Sequence, residues 1–138
     1  MESVILLLLA AAFYGAAAWL RHRGTHAGTK TWPSTVLFEM ALFLHAVAIW
    51  RAVVAPDGLD LSFQNALSLV AWLTALVAGV SGVLGKLPAV GNVILPVAAV
   101  CALAPLAGGS PHRFPYAGDS LATAHIAVAL LAYAFFAV

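Results

Sequence analysis

Two histidines lie inside apolar runs. His45 sits in "FEMALFLHAVAIWRAVV" and His125 in "SLATAHIAVALLAYAFFAV". Helical spacing places Ala41, Ala48 and Ala52 around His45, and Ala122, Ala129 and Ala132 around His125. Each imidazole is thus backed by small side chains. Such a face suits a close helix–helix contact, or it leaves room for something large and flat. A neutral imidazole is a good iron ligand, and haem is held in this way by axial histidines. His45 and His125 are therefore the candidate cofactor-binding and metal-ligating residues, with haem as the candidate cofactor. Arg51 and Arg113 complete the candidate set, because a guanidinium holds a carboxylate edge through paired, charge-assisted hydrogen bonds. Each position has a plainer alternative. A buried histidine bonds a carbonyl, a serine or a water on the next helix, and Arg51 snorkels to the interface.

The elements that carry these residues follow from composition. Of 138 residues, 64% are hydrophobic and 8% charged. A water-facing domain is nearer half apolar and about a quarter charged. So few charges cannot cover a soluble surface, and the chain reads as an all-α, polytopic transmembrane bundle forming a single membrane domain, with membrane lipid as a partner. A net charge of +1 gives no reason to expect nucleic acid. The lone cysteine, Cys101, has no partner for an internal disulfide and reads as a small hydrophobe. No nucleotide loop, zinc-protease box or nucleophile elbow is present, and the glycines of "GVSGVLG" read as helix packing. No catalytic residue is assigned, and the chain is read as a non-enzyme.

A crossing helix needs roughly 20 apolar residues. Five stretches qualify: 4–20, 35–54, 63–84, 89–107 and 119–138. Strands are not expected, since no segment sustains the alternation of a membrane barrel. The first run lacks a basic leader and carries Trp19 where a cleavage site wants small residues, so it reads as a retained span. Arg21, Arg23, Lys30 and Lys86 mark the first and third connections as cytoplasmic. The amino terminus then faces outward, as do the second and fourth connections. By the helical rise, His125 lies roughly 9 Å and His45 roughly 13–14 Å below the outer side.

Further positions carry expectations. Ser68, Trp72, Ala75, Gly79 and Gly82 recur at three- or four-residue steps, and a stripe of polar and small residues belongs against other helices. Pro96 and Pro105 should distort the fourth span. Glu39 is placed at the cytoplasmic interface. Trp32, Trp50 and Tyr116 fit an aromatic belt. His22, His26 and His112 read as loop residues. Asn65 reads as a helix cap ahead of a bond across the bundle, and Asp119 with Ser120 as the N-cap signal of the fifth helix.

Several of these residues resemble a known family. "LHAVAIWRAVVAPDGLDLSFQNALSLVAWL" is similar to the second and third spans of YpjD-type inner-membrane proteins of the cytochrome c assembly (CcsA/CcmC-like) family. The likeness rests on His45-Ala46, the Pro56-Asp57-Gly58 turn, and Leu61, Ser62, Asn65, Ser68 and Leu69. "VILPVAAVCALAPLA" resembles the fourth span, and "AHIAVALLAYAFF" the histidine helix, with Tyr133-Ala134 eight residues after His125. The resemblance runs from about Leu37 onward. It implies haem handling in the bacterial inner membrane, with presentation at the outer face. It also implies other cytochrome c assembly proteins or apocytochrome c as partners, and a family chain of about eight spans of which this is the amino-terminal half. The family's membrane histidine corresponds to His125, and a second to His45. Two competing functions stand beside it: a cofactor-free membrane anchor or assembly subunit, and a fragment of a small-molecule permease.

Overall fold

The computed structural model describes residues 2–27, 32–55, 58–83, 91–114 and 119–137. It is all-α in its architecture. The helices are α1 (Glu2–Ala27), α2 (Trp32–Val53), α3 (Phe63–Val83), α4 (Gly91–Ala102) and α5 (Ser120–Phe136), with a 3₁₀ turn over Ala104–Ala107. Three of them, within Glu2–Gly24, Trp32–Val53 and Phe63–Gly82, are long and apolar enough to cross a membrane. The regions of the fourth and fifth expected spans form shorter apolar helices.

Local chemistry explains the boundaries. α1 runs well past the expected residue 20, through Gly24 and with no proline to end it; His22 is therefore helical rather than in a loop. Pro33 falls in the first turn of α2, where its missing N–H has no intrahelical acceptor to lose. α4 carries Pro96 in its interior and ends at Ala102. The following turn is 3₁₀ with Pro105 near its start, so the fourth apolar run is split instead of continuous. At α5, Asp119 accepts from the backbone N–H groups of Leu121 (3.0 Å) and Ala122 (3.1 Å), the expected N-cap.

Helices α1 to α4 form a ring in which α1 meets α2 and α4, and α3 meets α2 and α4. α5 lies outside this ring, against α3. The ring's core contains Tyr14, Ala17, Phe38, Ala41, Ala75, Ala78, Ile94, Leu95 and Ala98. Alanines at these crossings let the backbones approach closely, which is how membrane helices gain dispersion contact. Gly79 is the tightest such point. A Cβ there would lie 2.6 Å from Phe38 Cε1, so the Phe38 ring fills the space that any other residue would claim.

Strands were not expected, yet three short ones cap one end of the bundle. β1 (Val54–Ala55), β2 (Gly58–Asp60) and β3 (Arg113–Phe114) form an antiparallel sheet in the order β1-β2-β3. Val54 pairs with Leu59, and Leu59 in turn with Phe114. Gly58 enters β2 at φ 140°, a conformation that favours glycine. The sheet joins the second connection to the fourth. Asp60 reinforces it, its Oδ1 accepting from the N–H of both Ser62 (3.0 Å) and His112 (3.1 Å). Leu61 N–H donates to the His112 carbonyl at 3.0 Å.

Candidate functional site

The polar centre of the ring is built by three helices. α2 carries His45, fully buried; α1 supplies Tyr14 and α3 supplies Ser68, both also fully buried. His45 Nε2 lies 2.8 Å from Ser68 Oγ, and Nδ1 lies 3.5 Å from the Tyr14 hydroxyl. The Tyr14 and His45 rings meet edge-on, with centroids 5.8 Å apart. A neutral imidazole offers one donor and one acceptor, and each hydroxyl can play either part. Both tautomers are therefore satisfied. This matters at membrane depth, where an unpaired polar group costs several kcal/mol.

Most of the α3 stripe faces the same way, but Gly82, near the end of α3, is exposed with nothing packed on it. Trp72 Nε1 donates to the Leu42 carbonyl at 2.9 Å, Ala75 is buried, and Gly79 receives Phe38. Above Ser68, Asn65 donates from Nδ2 to the carbonyls of Ala52 (3.3 Å) and Asp60 (3.2 Å). It ties the end of α2 to β2 rather than capping α3 as expected.

The candidate residues fall into separate environments. His45 engages protein hydroxyls through both ring nitrogens, so it fits an iron only by giving one of them up. His125 is exposed on α5, the helix outside the ring. It meets the first requirement of a ligand, an accessible imidazole. The structure does not bring the two rings into one polar cluster. Arg51 pairs with Glu2, Nη1 to Oε2 at 2.8 Å, clipping the end of α2 to the start of α1. Arg113 lies in β3, on the sheet at that same end of the bundle. Among the described residues, no three of His, Cys, Asp and Glu converge as a metal site. Trp32 and Trp50 are exposed near the ends of α2, and Glu39 is exposed about two turns inside it. Tyr116 and the side chain of His26 lie outside the described residues.

A cleft of about 280 Å³ opens between α3, α4 and the end of α5. Leu67, Val70, Val97 and Cys101 are among its lining residues, with Thr74. The Thr74 hydroxyl is already committed to the Val70 carbonyl at 2.8 Å. The cleft thus lacks the convergent polar groups that orient a ligand.

Tyr14 and Glu2 were not anticipated. Tyr14 did carry a signal: a phenol in mid-span, with Ala10 and Ala17 along the same face, needs a buried partner. Glu2 and Arg51 were both placed at the outer end, which is where they meet.

No family model, no curated protein and no solved structure matches this chain. Fold and composition define its class, a helical membrane protein with at least three helices able to span the bilayer.

Proposed function

We propose that this chain is a haem-handling protein of cytochrome c biogenesis in the bacterial inner membrane, with its amino terminus outside. It binds and presents haem at the outer face, alongside other assembly proteins or apocytochrome c, and catalyses no bond change itself. The observation that carries the proposal is His125, an exposed imidazole on an otherwise apolar helix. A polar side chain within a membrane span is expensive in lipid and is a functional candidate by default. Ala129 and Ala132 along the same side leave room for a flat macrocycle. The resemblance of the α2–α3 and α5 residues to the cytochrome c assembly family supports it. The sheet end, where Arg113 lies, is the end from which α5 starts, so His125 is about two turns below it.

In this proposal haem iron takes His125 as a protein ligand, and bound haem supplies the cargo's redox-active metal. His45 holds α1, α2 and α3 together through Tyr14 and Ser68 and does not ligate. The test is the absorption spectrum of protein purified from haem-replete cells. A Soret band is expected, lost or shifted in His125→Ala and kept in His45→Ala. An unchanged band in His125→Ala removes the ligand role.

One observation favours a second reading, a cofactor-free assembly subunit: the buried histidine is fully engaged by hydroxyls. Colourless protein that still associates with its membrane partners would establish it.

A further inference from the structure

The end of the bundle opposite the sheet holds two arginines over aromatic rings. Arg21 Cζ lies 5.3 Å from the centroid of Phe38, and Arg23 Cζ lies 4.0 Å from that of Trp19. A cation–π contact occupies one face of the guanidinium and leaves its N–H edges available. Among the described residues no carboxylate takes those edges, and the ion pair present, Arg51–Glu2, is at the other end.

Position along α1 fixes the level. Arg21 follows Glu2 by about five turns, roughly 28 Å at 1.5 Å per residue. The hydrocarbon core is about 30 Å thick. With Glu2 and Arg51 at one interface, Arg21 and Arg23 stand at the other. Trp19 and Trp32 are 53% and 65% exposed beside them, as rings at headgroup level are. The abundant acceptor of opposite charge at that level is lipid phosphate.

We propose that Arg21 and Arg23 bind the headgroup phosphates of anionic phospholipid. Arg21 is not a loosely snorkelling side chain. It is half-buried over Phe38, and Phe38 is itself wedged at Gly79. Arg23 is exposed and fixed by Trp19 from one turn earlier on the same helix. A zwitterionic lipid brings its own ammonium to neutralise the phosphate, whereas an anionic lipid leaves that charge to the arginines. The site rests on the membrane-spanning architecture alone and is independent of any haem.

The full chain in mild detergent is exposed to phosphatidylglycerol, phosphatidylcholine or inorganic phosphate, and adducts are counted by native mass spectrometry. Phosphatidylglycerol is expected to be retained preferentially. Arg21→Gln and Arg23→Gln should each weaken that retention about fivefold, the equivalent of about 1 kcal/mol per arginine near an anionic surface. The double variant should bind phosphatidylglycerol no better than phosphatidylcholine. Equal retention of the two lipids by the parent protein overturns the proposal. So does undiminished phosphatidylglycerol binding in Arg23→Gln, an exposed substitution that leaves the helix packing intact. Inorganic phosphate binding as well as the lipid would mark a free-anion site and would also overturn it.

Discussion

The ring α1–α4 and the outlying helix α5 treat the same residue type in opposite ways. In the ring, His45 is fully buried, and each nitrogen meets a hydroxyl from a different neighbouring helix. On α5, His125 is exposed, and the helix touches the bundle through α3. Depth in the bilayer, which sequence can estimate, is similar for both. Lateral surroundings, which depend on which helices adjoin, differ completely. A histidine in an apolar helix is thus engaged or exposed according to its neighbours rather than its place along the helix.

Substitutions sharpen this contrast. The largest effect is expected from His45→Ala, which strands Tyr14 and Ser68 in the core and leaves a void. It should lower stability by about 3 kcal/mol, read as an earlier unfolding midpoint in mixed micelles. Gly79→Ala should follow at about 2 kcal/mol, since the added methyl meets Phe38. Combining it with Phe38→Leu should recover part of that loss, and no recovery would mean the two residues do not compete for one space. Asp119→Ala removes the α5 cap and should cost about 1 kcal/mol, detectable as faster amide exchange at Leu121 and Ala122. Smallest is His125→Ala, an exposed position, expected to change stability by less than about 0.5 kcal/mol. A loss as large as that of His45→Ala would show that His125 is also a packing residue and would erase the contrast.

Much of the fold was legible because lipid imposes simple rules. Apolar length located the helices, and Gly, Pro and charge located the breaks. The α3 stripe was the most informative local pattern: Ser68, Trp72, Ala75 and Gly79 meet neighbouring helices as their spacing predicted, whereas Gly82 is exposed. Less legible were features that depend on residues far apart in the chain. Val54, Leu59 and Phe114 look like loop flanks until the ends of the connections are brought together. Asn65 at the start of a helix suggests a cap, but the nearby Ala52 and Asp60 carbonyls make a better destination for its amide. His45 was seen as a ligand or an interhelical donor. The arrival of Tyr14 from α1 and Ser68 from α3 supplies the interhelical partners.

The small sheet has one more implication, for assembly order. Its central strand precedes α3 in the chain, whereas β3 follows α4, so the ladder closes only after both helices have been made. The ladder therefore requires α3 and α4 to bring the chain back to the end of the bundle where β2 lies. Three short strands thereby tie together stretches of chain that two helices separate.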